Sequence, residues 1–356
     1  MLNRRQFFTR TALPLTGALI AGGSVGGRAP AFAQVGGSSK RRQVMVAGRR
    51  VKTVDVHSHC VVPGVMEMIG QKTPANAALV MSTDRLQQMD EQGIDVEVLS
   101  INPFWYAVER ELARAVIKTQ NEQLSAFCAA HADRFAGLAT VALQHPDLAA
   151  EQLEDGIKRL GLRGGSLGAS VNSEELASAR FDPFWAKAEA LGAPIFIHPQ
   201  GAPELRRLQG NGLLTNVIGN PLDTTIALSH LIFEGTLDRF PRLKICAAHG
   251  GGYLPSYADR SDHGCLTFPE QCSKTPGKRP TEYLKQLYFD SLVFSGEALR
   301  HLVAVCGVSQ IVLGTDYPYP WTSTAVDHVL GAPGLSDADR VAILGGNAIS
   351  LLNIPS

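Results

Sequence analysis

The chain has 356 residues with 33 basic and 33 acidic side chains, so it carries no formal net charge apart from its histidines. That balance provides no broad positive field, and it excludes a general binder of nucleic acid or of anionic membranes. The length is enough for a substantial core, and 35 glycines against few aromatics suit a fold with many strand-to-helix turns.

The first segment reads as a targeting sequence. Asn3-Arg4-Arg5-Gln6-Phe7-Phe8 is a twin-arginine pattern, a modestly apolar stretch runs from Thr11 to Gly23, and Ala31-Phe32-Ala33 is a small-x-small cleavage site. Residues 1–33 are therefore expected to be a twin-arginine signal peptide directing export to the periplasm. Its apolar part is too short and too rich in glycine to be a stable membrane span. Residues 34–50 read as a flexible basic linker, and 51–356 as one folded domain.

The first element of that domain is the strand Thr53–His59, ending Val54-Asp55-Val56-His57-Ser58-His59. Residues i and i+2 share a face of a strand, so His57 and His59 point the same way and can grip one metal ion. Taken alone, a His-x-His pair is equally compatible with a solvated strand face. Further predicted strands are Val96–Ile101, Ala136–Val141, Gly164–Leu167, Pro194–His198, Leu243–His249, Tyr288–Val293 and Gln310–Asp316. Between them lie stretches of helical periodicity, including Glu109–Ala130, Leu148–Leu160 and Asp182–Leu191. Asp84 and Ser336 are candidate N-caps, and Gly93, Gly161 and Gly192 are candidate helix ends.

Eight strands alternating with helices imply parallel strands and right-handed crossovers, and the economical closure is a distorted (β/α)8 TIM barrel. A doubly wound sheet would place a glycine-rich phosphate loop after its first strand, where this chain has His57-Ser58-His59. In a barrel the functional side chains sit at the carboxyl ends of the strands. Here the first strand ends in His57 and His59, the fifth in His198, the sixth in His249 and the eighth in Asp316. Five ligand-type groups on four strand ends are hard to explain as core. His131, His145, His230, His301 and His328 fall at helix ends or on helices and are read as structural.

The six cysteines are irregularly spaced and contain no Cys-x-x-Cys. Cys128 and Cys246 lie in apolar runs and read as buried small hydrophobes. Cys265 and Cys272 are the only candidates for a local bridge, and the balance of the reading is against it, since spacing assigns no pair.

These features resemble the amidohydrolase superfamily, and more closely the aminocarboxymuconate-semialdehyde decarboxylase family, whose members remove carboxyl groups without an organic cofactor. The resemblance runs from Val51 to the C-terminus. It rests on Asp55-Val56-His57-Ser58-His59, Phe181-Asp182-Pro183-Phe184-Trp185, Thr224-Thr225-Ile226-Ala227-Leu228, Phe240-Pro241-Arg242-Leu243-Lys244-Ile245, Ala248-His249-Gly250-Gly251-Gly252, Leu313-Gly314-Thr315-Asp316-Tyr317-Pro318 and Gly346-Asn347-Ala348. It implies that His57, His59, His198 and Asp316 hold one divalent metal, zinc before manganese. His249 would be the acid/base beside metal-bound water or substrate, with Asp316 close to the proton transfer. It also implies that Arg260 reaches across a homodimer to bind a substrate carboxylate, and that Tyr319 lines the pocket. Two positions depart from the family pattern. Gln71–Met81 carries no arginine where a second one is expected, and Pro199-Gln200-Gly201 follows His198 where an aromatic is expected.

Binuclear relatives bridge two metals with a carboxylated lysine on the fourth strand, and Gly164-Gly165-Ser166-Leu167-Gly168 has none, which favours a single metal. Such a site suits nonoxidative decarboxylation of a small aromatic or unsaturated carboxylic acid. The alternative on the same scaffold is hydrolysis of an amide, lactone or vinylogous carbon–carbon bond, by metal-activated water. A non-catalytic metal- or solute-binding protein is the third class, and would not need an acid/base histidine beside the ligands.

Overall fold

The computed structural model describes residues 41–201, 206–210, 212–275 and 277–355. The expected signal peptide, residues 1–33, and the first part of the expected linker lie outside these. From residue 41 the chain is already folded, which corrects the linker boundary. Met45–Val46 pairs antiparallel with Arg49–Arg50 around a two-residue turn, Ala47 and Gly48, both at positive φ. The physical reason is twofold. Val44, Val46 and Val51 supply an apolar face that joins the main core, and Arg41, Arg42 and Arg50, which suggest a solvated basic run, have acidic partners. Arg50 pairs with Asp95 at 2.7 Å and Arg41 with the same carboxylate at 3.4 Å.

Among the described residues eight barrel strands follow: β1 Val54–His59, β2 Val96–Ser100, β3 in two pieces (Phe135–Gly137 and Ala139–Thr140), β4 Gly165–Gly168, β5 Pro194–His198, β6 Lys244–Ala247, β7 Tyr288–Asp290 and β8 Ile311–Val312. Each pairs in parallel with the next. β3 divides at Leu138 because its first piece pairs with β2 and its second with β4. Past β8 the chain returns to β1: Val56 N donates to Leu313 O at 2.9 Å, Asp316 N to His57 O at 2.8 Å and His59 N to Tyr317 O at 2.7 Å. These bonds close the barrel and bring the first and last strand ends together. The predicted strands are recovered in order, but the sixth, seventh and eighth are shorter than expected because their last residues leave the ladder to form the site. Among the described residues, no helix is long and apolar enough to cross a membrane.

The barrel interior is filled by Val54, Val56, Val96, Val98, Ala136, Leu138, Phe196, Cys246 and Val312. Leu351 and Leu352 of the C-terminal helix Asn347–Leu352 pack beneath them, lining one small cavity with Val56, Pro194 and Phe196. Since Pro194 begins β5, this helix stoppers the amino end and leaves the carboxyl end for chemistry. The inner positions of β1 are thus 54 and 56, and unbroken alternation would turn His57 and His59 outward. A β-bulge prevents this. Asp55 aligns with Glu97 but Ser58 with Leu99, so β1 spends three steps where β2 spends two. The extra residue changes the parity of the strand and turns both histidines toward the mouth.

Local signals behave mostly as expected. Helix Asp182–Leu191 matches its predicted span, with Gly192 in the left-handed region at its end, and Gly93 ends Leu86–Gln92 in the same way. Ser336 caps Asp337–Val341. Asp84 is not a cap; Ser82 accepts from Asp84 N instead, because the chain enters through the 3-10 turn Thr83–Arg85. The cysteine expectation is also corrected. Cys265 and Cys272 form a disulfide, because the turn Pro269–Cys272 doubles back on helix Leu254–Thr267 and brings the two Cα atoms to 5.4 Å. Cys60, Cys128, Cys246 and Cys306 are buried thiols.

Candidate active site

Three imidazoles and one carboxylate converge at the carboxyl end of the barrel. The ligand atoms of His57, His59, His198 and Asp316 all lie within 4.8 Å of one another, and all four residues are buried. His57 Nε2 is 3.1 Å from His59 Nε2, and Asp316 Oδ1 is 2.8 Å from His59 Nε2, 3.1 Å from His57 Nε2 and 3.9 Å from His198 Nε2. Metal bonds of ~2.0–2.1 Å at tetrahedral angles put ligand atoms ~3.3 Å apart, and these separations bracket that value.

The electrostatics favour a cation at the same point. Burial opposes charge on His57, yet Asp316 and Asp290 on either side raise it to about 10. Burial would likewise raise the Asp316 carboxyl, but the surrounding His57, His249 and His59 hold it well below the usual carboxylate range. His198 is driven well below its ordinary value by burial and by the three neighbouring imidazoles, so it presents a neutral lone pair. Both of its ring nitrogens are buried without a hydrogen-bond partner, an expensive arrangement unless a ligand is to be bound. The donor set therefore fits a single divalent cation, and β4 offers no lysine to bridge a second.

His249 stands beside the cluster. Its ring centroid is 5.1 Å from that of His57 and 5.3 Å from that of His198, with Nε2 3.5 Å from Asp316 Oδ2. Its side chain is 13% exposed, against 0–6% for the four convergent residues, so it faces the mouth. His249 and Asp316 both adopt positive φ, 56° and 61°, a conformation costing ~1–2 kcal/mol for a side chain with a Cβ. Such strain persists only where the surroundings over-determine it, and Asp290 supplies much of that. Its Oδ2 accepts from His249 N at 2.8 Å and its Oδ1 from Gly250 N at 2.8 Å. The Gly250-Gly251-Gly252 run then lets the chain turn away: a Cβ at Gly252 would lie 2.0 Å from the Pro221 carbonyl oxygen.

Asp290 is a functional residue that sequence reasoning missed. Besides anchoring His249, its Oδ2 lies 2.6 Å from His57 Nδ1, which orients that ring and leaves Nε2 for the metal. The signal was present, since Tyr288-Phe289-Asp290 is another apolar run ending in a ligand-type residue, but the strand was read through to Val293. Gly314 makes room for this pair; a Cβ there would lie 2.8 Å from that of Asp290 and 3.0 Å from that of His57. Asp55 was also passed over. It accepts from His57 N and Thr315 N and binds the Thr315 hydroxyl at 2.5 Å, joining β1 to the segment that carries Asp316.

Tyr319 is brought to the site, its ring centroid 5.6 Å from that of His59. Arg260 is not part of the cluster; it lies exposed on helix Leu254–Thr267. Of the remaining histidines, His131 and His145 sit at helix ends, His230 pairs with Glu234 within its own helix, and His301 is exposed.

The sequence profile of the family described as Amidohydrolase matches residues 54–354. The chain belongs to the amidohydrolase family. This amidohydrolase is 32% identical over 273 residues, 76% of each chain, to 2-amino-3-carboxymuconate-6-semialdehyde decarboxylase of Dictyostelium discoideum. It is 29% identical over 286 residues to gamma-resorcylate decarboxylase of Rhodococcus jostii, covering 76% of this chain and 87% of the other. Among solved structures, 5-carboxyvanillate decarboxylase LigW from Sphingomonas paucimobilis superimposes with a TM-score of 0.78 at 26% identity, over 86% of this amidohydrolase and 100% of that chain. A dihydroxybenzoic acid decarboxylase from Polaromonas sp. JS666, with bound manganese and 2-nitroresorcinol, gives 0.75 at 26% identity, over 85% and 97%.

Proposed function

We propose that this amidohydrolase is a metal-dependent, nonoxidative decarboxylase of a small aromatic or unsaturated carboxylic acid. The observation that carries the proposal is the convergence of His57, His59, His198 and Asp316 within 4.8 Å, with His249 beside them. Its relatives named above are decarboxylases of such acids.

The reaction exchanges a carboxylate for a proton. The ring or vinyl carbon bearing the carboxylate takes a proton, the bond to the carboxyl carbon breaks with its electron pair returning to the substrate framework, and carbon dioxide leaves. His249 would deliver the proton, being the most exposed of the clustered imidazoles, with Asp316 Oδ2 3.5 Å from its Nε2. When bound, a divalent cation held by the four ligands supplies positive charge against the negative charge that develops on the substrate. Zinc is the first expectation from three imidazoles and one carboxylate, with manganese as the alternative that the Polaromonas structure suggests. Tyr319 offers a ring face at the edge of the site for a planar substrate.

Arg260 completes the reading through a second copy of the chain. The helix that carries it also exposes Tyr257 at 70% and Leu266 at 75%, which is apolar surface of the kind that marks an interface. In a homodimer Arg260 would enter the partner's site and pair with a substrate carboxylate. Mixing an Arg260→Ala variant with a His249→Ala variant is expected to restore activity toward a quarter of wild type, since mixed dimers then contain one intact site. Absence of any recovery after subunit exchange would remove the shared-site reading.

The function itself is tested with metal-loaded enzyme and a panel of hydroxybenzoates, carboxyvanillate-type acids and lactones, following carbon dioxide release. Release from at least one acid is expected, abolished by a chelator and restored by zinc or manganese. Hydrolysis of a lactone or amide with no carbon dioxide from any acid would overturn it in favour of a hydrolase.

A further inference from the structure

Arg85 is 2% exposed and sits directly beneath the end of β1. It lies on the 3-10 turn Thr83–Arg85, outside the Gln71–Met81 stretch where the family pattern has a second arginine. Its position is unlike that of a substrate-binding group. Nη1 donates to Glu97 Oε2 at 2.8 Å and to Ser58 Oγ at 3.2 Å, while Nη2 donates to the His59 carbonyl at 2.8 Å and to the Ala78 carbonyl at 3.4 Å. Ser58 Oγ closes the triangle by donating to Glu97 Oε2 at 3.1 Å. The guanidinium also stands 5.0 Å from the centroid of Tyr317.

These contacts converge on the backbone of one residue, His59. The N–H of His59 is held by the Tyr317 carbonyl at 2.7 Å, and its C=O by Arg85. Tyr317 follows Asp316, so the cation–π contact and the backbone bond tie the carrier of one ligand to the carrier of another. The arrangement falls where β1 needs support, since the bulge between Asp55 and Ser58 has just disrupted its ladder with β2. Only a forked, planar cation spans a carboxylate, a hydroxyl and a carbonyl at once; an ammonium is a single point of charge.

We propose that Arg85 is a positioning residue: it locks the backbone at His59 and the adjoining Tyr317 so that His59 and Asp316 meet in metal-binding geometry. It does so without touching substrate. This rests on the metal-site reading above but not on the reaction assigned to it, because its primary readout is metal affinity.

The experiment compares wild type with Arg85→Lys, which keeps a cation opposite Glu97, and with Arg85→Met/Glu97→Leu, which removes both buried charges and so avoids leaving either one unpaired. Zinc dissociation constants are measured by competition with a chromogenic chelator, well below each variant's melting temperature, and kinetics follow at saturating metal. Loss of partners behind a metal ligand typically weakens metal binding 10–100-fold. Both variants, folded by circular dichroism, are expected to bind zinc at least about tenfold more weakly, with kcat lowered and KM nearly unchanged. Wild-type zinc affinity in either folded variant would overturn the proposal, as would a raised KM with unchanged kcat and zinc affinity, which is the signature of a substrate contact. If neither variant folds, Ser58→Ala is the deciding measurement: it removes one corner of the triangle, and zinc affinity equal to wild type would count against positioning. Failure of the decarboxylation panel with weakened zinc binding would leave this inference standing while removing the assigned reaction.

Discussion

Asp316→Ala is expected to lose the metal and, with it, turnover by about a thousandfold or more, equivalent to ~4 kcal/mol of lost transition-state stabilisation. The expectation follows from how many groups depend on this one carboxylate. Its Oδ1 is within 2.8 Å of His59 and 3.1 Å of His57, and its Oδ2 faces His249 at 3.5 Å. Without it three neutral imidazoles bring no negative charge to a dication, and His249 loses the carboxylate oxygen that faces its Nε2 at 3.5 Å. Its strained backbone is already supported from outside the side chain, through Asp316 N to the His57 carbonyl and Tyr319 N to the Asp316 carbonyl. The variant should therefore fold, and the defect should be confined to the site. Elemental analysis of purified protein, with melting temperature as the control, is the check. Normal metal occupancy in a folded Asp316→Ala protein would contradict its role as a ligand.

The second large effect separates binding from proton transfer. His249→Ala is expected to keep its metal while kcat falls by about 10²–10⁴, the range for removing a positioned acid or base. The reasoning is geometric. His249 is outside the set of four mutually close ligand atoms, and it is the most exposed of the clustered imidazoles, at 13% against 0–6%. Its backbone N–H bond to Asp290 survives the substitution, so Asp290 continues to orient His57. Metal content and single-turnover rate, measured on the same sample, decide the matter. A protein that loses metal would show His249 to be a ligand, and one that keeps full rate would move the proton to another donor, Asp316 being the nearest.

The two variants differ in one further way. Loss of metal in Asp316→Ala should be partly reversed by excess zinc if the three imidazoles retain weak affinity, whereas no amount of metal should restore His249→Ala.

Much of this site is visible in residue order. Apolar runs of strand length end at His59, His198, His249 and Asp316, and a barrel sends its strand ends to one mouth. That rule leads from local pattern to convergence across long stretches of sequence, 257 residues in the case of His59 and Asp316. It failed at Asp290 for a local reason: Ser291, Leu292 and Val293 prolong the apolar pattern, and nothing in the pattern marks where the ladder with β6 and β8 ends. The N-terminal hairpin is hidden in the sequence because Arg41, Arg42 and Arg50 read there as solvated charge, while their partners Asp90, Asp95 and Asp327 lie far along the chain. The Cys265–Cys272 bridge was disfavoured because seven residues of spacing say nothing about whether the intervening turn doubles back.

By itself, then, the amino-acid order determined which chemical groups are available and at which ends of which strands, because hydrophobic period and strand termination are local properties. Only the tertiary structure decided how they are aimed. The bulge in β1 reverses the parity that Val54 and Val56 establish, Asp290 chooses the nitrogen that His57 presents, and Tyr317 and Arg85 bond the N–H and the C=O of His59. Each depends on a pairing between distant segments, which exists only once the barrel has closed and one strand's register has been set against another's.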